Sequence, residues 1–240
     1  MERAEWLKQM RGKLERLYDH LSPGYWTRFG VYPNEMHREF LAKFLERMAP
    51  RSTLLSAACG AGRYDGILLE AGHSVVGIDQ SAGMLARARE HFPEVRYLKM
   101  GLQEMDFREA FDGATCIDAM EHVCPEDWPV ILRGFREALK PGGVLYVTVV
   151  LAKAEWLTKA YERARAQGLP VVYGELADEV EEAYARTLEQ SVEVAEEADE
   201  SAYHYCPPLE QVRAWIKDAG LAIEEEGTGG WYEHFVVRKR

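Results

Sequence analysis

The stretch Leu54–Asp79, LLSAACGAGRYDGILLEAGHSVVGID, decides the fold. Thr53, Leu54, Leu55 and Ala57 make an apolar run of the length of a buried strand. Cys59-Gly60-Ala61-Gly62 follows, where small or absent side chains let the backbone turn sharply and bring its N–H groups against a ligand. A helix expected from about Arg63 adds the positive end of its dipole to that turn. Ile67, Leu68 and Leu69 supply its buried side, and Ala71-Gly72 ends it. Ser74–Ile78 reads as a second buried strand, with Asp79 at its C-terminal end. A carboxylate about 20 residues beyond a glycine turn can accept both hydroxyls of a ribose. Nucleoside binding is what this unit predicts.

Downstream, strands and helices alternate. Ser81 is placed to cap a helix whose buried face is Met84, Leu85 and Ala88. Val95–Leu98 is a third strand, followed by Gly101-Leu102-Gln103. Phe111-Asp112 opens a fourth, Ala114–Ile117, which runs into Asp118-Ala119-Met120-Glu121-His122. A helix over residues 127–139, the turn Lys140-Pro141-Gly142-Gly143 and an apolar strand at 144–150 complete the series. Such alternation predicts an α/β fold, a parallel sheet with helices on both faces and a ligand crevice where strand order reverses.

These segments together resemble the class I S-adenosylmethionine-dependent methyltransferases. The resemblance rests on Ser56, Ala58, Cys59, Gly60, Ala61 and Gly62 with Asp79, on Phe111-Asp112 followed by Asp118 and Glu121-His122, and on Leu139–Gly143, LKPGG. The chain departs from the family where Ser56 stands in place of an acid, Ala58 in place of Gly, and Leu102 in place of Asp. Ala58 is a small change where φ stays negative. The resemblance implies a doubly wound, seven-stranded, mostly parallel Rossmann-like sheet and S-adenosyl-L-methionine as cofactor. It assigns cofactor binding to Ala58, Cys59, Gly60, Gly62, Arg63, Asp79, Gln80, Met84, Leu102, Gln103, Asp118, Ala119 and Met120. Gln80 and Met84 would lie beside the adenine, although Met84 also suits ordinary core. A backbone N–H at Leu102 or Gln103, or the Gln103 amide, would take over the missing adenine contact, and Asp118 and Met120 would line the methionine side. His122, with Glu121, is the candidate general base. The other reading of this pair is capping or orienting the local helix, because a sulfonium donor needs no base for many acceptors.

The flanks lie outside that resemblance. Trp6, Leu7, Met10, Leu14, Leu17, Tyr18 and Leu21 keep helical spacing, which predicts a helix over residues 3–20 broken at Ser22-Pro23-Gly24. A second helix spans Met36 to Met48, and the linking stretch is rich in aromatics. Residues 1–52 are either packing helices or a lid, and as a lid they would present Tyr18, Tyr25 and Trp26 to the ligand. Residues 151–202 read as a helical cap insertion with an acidic run at 175–200, either a solvated helix face or a specificity element. Tyr203 and His204, before a helix at 209–219, are substrate candidates, with packing at the cap junction as the alternative. The α/β core is thus expected over residues 53–150 and 203–240.

The formal charge of −11 disfavours a nucleic-acid footprint. No apolar run suits a membrane span, the charged N-terminus carries no apolar signal core, and a cytoplasmic location is the default expectation. Cys59, Cys116, Cys124 and Cys206 form no CxxC pair and read as reduced and metal-free. The expected reaction is methyl transfer to a small-molecule O, N or C nucleophile. A non-catalytic protein binding S-adenosylmethionine or S-adenosylhomocysteine is the first alternative. A NAD-type oxidoreductase is the second, although Glu121-His122 and LKPGG argue against it. Neither the methyl acceptor nor an oligomeric state is legible.

Overall fold

A computed structural model describes residues 1–29, 35–176, 203–229 and 231–240. The apolar runs become β1 (Thr53–Ala57), β2 (Ser74–Asp79), β3 (Arg96–Lys99), β4 (Phe111–Cys116) and β5 (Leu139–Val150). With β8 (Leu221–Gly229) and β9 (Tyr232–Lys239) they form one seven-stranded sheet in the order β3-β2-β1-β4-β5-β9-β8. The pairs among β1 to β5 are parallel, and β9 runs antiparallel between β5 and β8. β1 pairs with β2 on one side (Leu54↔Val75) and with β4 on the other (Leu54↔Gly113), so the strand order reverses there. The crevice expected of such a reversal opens beyond the C-terminal ends of these strands.

Successive side chains of a strand face opposite ways, and both faces are covered. Leu55, Ala57 and Leu145 belong to a core completed by α1 (Arg3–Phe29), α5 (Trp128–Ala138) and α7 (Leu209–Asp218). Leu54, Val144 and Tyr146 belong to a second core under α2 (Glu35–Leu45), α3 (Asp65–Glu70) and α4 (Ala82–His91). This is a doubly wound α/β architecture.

The N-terminal helix does not break at Ser22-Pro23-Gly24: α1 runs through Pro23 to Phe29. Proline removes the N–H that would reach the carbonyl four residues back, which is that of Asp19. The Ser22 hydroxyl donates to that carbonyl instead (2.9 Å), so the acceptor keeps a partner. The Asp19 side chain in turn accepts from Ser81 Oγ (2.6 Å) and Gly83 N–H (2.8 Å), fastening α1 across the start of α4.

After β5, α6 (Ala154–Ala166) leads to β6 (Glu175–Leu176), which pairs antiparallel with β7 (His204–Tyr205). Leu176 lies in this strand, and the rest of the expected acidic cap segment, from residue 177 on, falls outside the described residues. Among the described residues no helix is long and apolar enough to cross a membrane.

Candidate functional site

The glycine turn leaves β1 with Ala58 at φ 50°, Gly60 at φ 54° and Gly62 at φ 81°. Glycine adopts these angles without strain, but a Cβ there crowds the carbonyl. Ala58 therefore departs from the negative φ that would make it a small change, and it holds strained backbone next to the site. Replacing it by glycine is expected to raise stability by up to about 1 kcal/mol, read as a higher urea midpoint at unchanged slope.

Asp79 ends β2 facing this turn. Its Oδ2 accepts from Gly60 N–H and its Oδ1 from Ser81 N–H, both at 2.8 Å. Two backbone donors thus fix the carboxylate plane, and each oxygen retains a lone pair for a ligand hydroxyl. Burial pushes its pKa up, with these N–H donors opposing.

Around Asp79 lies an open cavity of about 1000 Å³, its mouth included. Ala58, Cys59, Gly60 and Arg63 line it from the glycine turn, and Asp79, Gln80 and Met84 from the β2–α4 connection. Leu102 and Gln103 line it beyond β3, Asp118, Ala119 and His122 beyond β4, and Tyr18 and Tyr25 from α1.

Six expected site residues lie elsewhere. Gly62 sits behind the turn, where a Cβ would come within 3.0 Å of Phe92 Cδ2 and 3.1 Å of Tyr97 Oη, so packing explains it. Met120 is fully buried in the core below α1 and α5. Trp26 stacks on His91, with ring centroids 3.8 Å apart. Tyr203 packs edge-on against Trp6 and donates to Glu175 Oε1 at 2.7 Å. His204 belongs to β7, with its ring centroid 4.6 Å from that of His122. Glu121 is buried away from the cavity, and its Oε2 has no hydrogen-bond partner among the described residues.

Burial first, and the Asp118 charge second, push the Glu121 carboxyl up to about 8 from its ordinary 4.5. The folded chain therefore holds this proton more tightly than the unfolded chain, so stability falls as pH rises through that window. Burial likewise raises Asp65 to about 6, with the same sign over a narrower range. The Glu121→Gln variant is expected to lose less stability than the wild type between about pH 5 and 8, in urea unfolding across that range.

His122 has its tautomer set by its neighbours. Its Nδ1 lies 3.0 Å from the Tyr203 carbonyl, which can only accept, so Nδ1 carries the hydrogen. Burial lowers its pKa, with the bond to the Tyr203 backbone opposing, and the neutral ring accepts the Tyr18 hydroxyl at Nε2 (2.6 Å). Tyr18 and His122 thus meet the cavity as a hydrogen-bonded pair.

Several cavity residues carried no signal in the sequence, among them Arg11, Tyr64, Met100, Cys124 and Asp127. Arg11 donates through Nε (3.1 Å) and Nη2 (2.5 Å) to Asp127 Oδ2. Among the many charged residues of an amphipathic helix, only packing tells which one faces inward. Burial pushes the Cys124 thiol up to about 12 and raises Cys59 well above its ordinary value, so neither is a thiolate at neutral pH.

Comparison with known proteins follows the same stretch. Residues 54–143 match the model of a methyltransferase domain. A ubiquinone biosynthesis O-methyltransferase of Bradyrhizobium is 34% identical over 101 residues, covering 40% of this chain and 39% of that protein. The chain spans about half, or less, of the length of the curated relatives it matches. A Burkholderia thailandensis 1,6-didemethyltoxoflavin-N1-methyltransferase structure, with bound 1,6-didemethyltoxoflavin and S-adenosylhomocysteine, superposes with TM-score 0.66. Its identity is 16%, with 100% of this chain and 91% of that one covered. A Rhodobacter sphaeroides structure described as a putative Zn-dependent alcohol dehydrogenase superposes with TM-score 0.73 at 18% identity, covering 95% and 98%. At such identities the likeness is one of fold. Over residues 54–143 the chain is thus similar to a methyltransferase domain, the same stretch that carries the resemblance in the sequence.

Proposed function

We propose that the protein binds S-adenosylmethionine in this cavity and transfers its methyl group to a small-molecule O, N or C nucleophile. The carrying observation is Asp79, whose carboxylate is oriented at the cavity wall by Gly60 and Ser81 N–H groups with lone pairs to spare. That pair of acceptor oxygens fits the two hydroxyls of a ribose diol. Gln80, Met84, Met100 and Leu102 offer a mostly apolar surface beside it for a purine, and Gln103 adds an amide able to donate and accept. The open backbone at Gly60, where a Cβ would meet nothing within 4 Å, suits close approach of the ligand's sugar and side chain. The bound group supplies a sulfonium-activated methyl, which makes positioning the main task of the protein.

The acceptor side falls to α1 and the segment after β4. Tyr18, backed by His122, presents a hydroxyl to the cavity, and an acceptor hydroxyl could pass its proton there. The Bradyrhizobium relative, by its description, methylates oxygen, which favours that nucleophile class. The formal charge of −11 argues for a small acceptor over a nucleic acid.

Calorimetric titration with S-adenosylmethionine, S-adenosylhomocysteine and NAD tests the reading. Micromolar binding of both adenosyl ligands without NAD binding supports it. Binding of NAD alone would move the chain to the oxidoreductases. Tight adenosyl binding without turnover over an acceptor panel would favour a regulatory binder.

A further inference from the structure

Asp79 stands on β2, but the serine that orients it is held from outside the sheet. Ser81 is fully buried and has three polar groups to satisfy. Its N–H donates to Asp79 Oδ1 (2.8 Å), and its hydroxyl oxygen accepts from Met84 N–H (3.0 Å) as the N-cap of α4. The hydroxyl hydrogen goes to Asp19 Oδ1 of α1, at 2.6 Å. The same Asp19 oxygen accepts from Gly83 N–H at 2.8 Å, one of the donors that a helix start leaves without an intrahelical partner. Ser81 is thus tied to two acids, to Asp79 by its backbone and to Asp19 by its side chain.

The approach of α1 to this point is close. A Cβ on Gly83 would come 2.6 Å from Ser22 Oγ and 3.1 Å from the Asp19 carbonyl oxygen, so the helix fits here only over a glycine. The next residue along α1, Tyr18, has its hydroxyl 2.6 Å from His122 Nε2. One place on α1 therefore meets both the β2 side and the β4 side of the cavity. This helix lies outside the stretch 54–143 that matches the methyltransferase domain.

Burial pushes the Asp79 carboxyl up, the Ser81 and Gly60 N–H groups oppose, and the Asp19 charge adds to the rise. Holding Ser81 with an acid thus has an electrostatic cost that a neutral acceptor would avoid. Without any acceptor at position 19, the buried Ser81 hydroxyl hydrogen and the Gly83 N–H both lose their partner. Relieving that loss requires the connection between β2 and α4 to shift, and Asp79 with it.

We propose that Asp19 is a positioning residue for Asp79: acting through Ser81, it fixes the carboxylate in its ligand-accepting orientation and couples cofactor binding to the docking of α1. The proposal rests on the cofactor reading above and adds a residue that the domain's own motifs do not contain. By linkage, the factor by which docked α1 favours the ligand is the factor by which the ligand favours docked α1.

The test titrates S-adenosylhomocysteine calorimetrically into the wild type, Asp19→Ala, Asp19→Asn and Gly83→Ala. Hydrogen exchange of residues 11–21 is followed with and without saturating ligand. Asp19→Ala is expected to bind about tenfold more weakly, the scale of one or two buried hydrogen bonds. Asp19→Asn is expected to stay within threefold of wild type, because both bonds fall on one oxygen and an amide oxygen can accept them. Gly83→Ala, which drives a Cβ against Ser22, is expected to weaken binding as Asp19→Ala does. Ligand is expected to slow exchange in α1 of the wild type and Asp19→Asn, and to leave it unchanged in Asp19→Ala at saturation. A purely structural clasp would lower stability without removing that ligand-dependent protection. Affinity of Asp19→Ala within twofold of wild type, equal weakening in Asp19→Asn, or undiminished protection in Asp19→Ala would overturn the coupling while leaving the cofactor reading intact. If Asp19→Ala does not fold, Gly83→Ala decides by the same two readouts. No binding by the wild type would overturn the cofactor reading and the coupling with it.

Discussion

The Asp79→Ala variant is expected to bind S-adenosylhomocysteine at least 100-fold more weakly than the wild type. The loss of two charge-assisted hydrogen bonds to ribose hydroxyls is worth about 1.5–3 kcal/mol each. Together they amount to roughly two to four powers of ten in affinity. A second effect adds to the first: Gly60 N–H and Ser81 N–H, both at 2.8 Å from the carboxylate, lose the group that ties the glycine turn to the start of α4. Asparagine is no conservative substitute at this site. Each carboxylate oxygen already faces a backbone N–H, so an amide nitrogen must turn its hydrogens against one of those donors. Asp79→Asn is therefore expected to weaken binding almost as much as alanine. Titration with circular dichroism on both variants checks this, and affinity within threefold of wild type in Asp79→Ala would remove Asp79 from the site.

The largest effect on stability is expected at Glu175, which is 1% exposed and lies far from the glycine turn in sequence. Its Oε1 accepts from Arg3 Nη2 (2.7 Å) and the Tyr203 hydroxyl (2.7 Å). Its Oε2 accepts from Arg3 Nη1 (2.9 Å) and Val172 N–H (2.6 Å). One carboxylate thus joins the start of α1, the segment before β6 and the residue before β7. Glutamine would set an amide nitrogen against two donors whichever way it turned. The Glu175→Gln variant is expected to lose about 3–5 kcal/mol, the range for breaking a buried ion pair from one side. Thermal or urea unfolding reads the loss, and a cost below about 1 kcal/mol would show the clasp to be dispensable. The same variant bears on the site, because the Tyr203 carbonyl holds His122 Nδ1 at 3.0 Å. Nuclear magnetic resonance of the His122 ring is expected to show a changed tautomer balance once Tyr203 is released.

Local chemistry carried most of the fold into the sequence. The runs Leu54–Ala57 and Ser74–Ile78 could bury themselves only as strands, and the small residues at 59–62 could only turn, so β1, the turn and β2 were legible from composition and spacing. The same holds for Ser81, whose hydroxyl accepts from Met84 N–H at 3.0 Å as an N-cap. Pro23 was misleading for a local reason: its missing N–H matters only if the Asp19 carbonyl is left bare, and the adjacent Ser22 hydroxyl covers it.

The site divides along similar lines. Residues on the strand ends could be named in advance, because a strand's C-terminal end has one place in such a sheet. Which residues of α1 face inward was decided by packing: Arg11 and Tyr18 line the cavity, while Trp26 lies against His91. Glu121 and His122 are adjacent in sequence, yet one is buried as a raised carboxyl away from the cavity and the other is set as a neutral ring behind Tyr18. Motif spacing specifies which groups are present at a strand end. Burial, and the donors that arrive from distant segments such as Tyr203, decide their protonation and direction. Those are properties of the assembled interior, where desolvation and hydrogen bonding are set by neighbours many residues away.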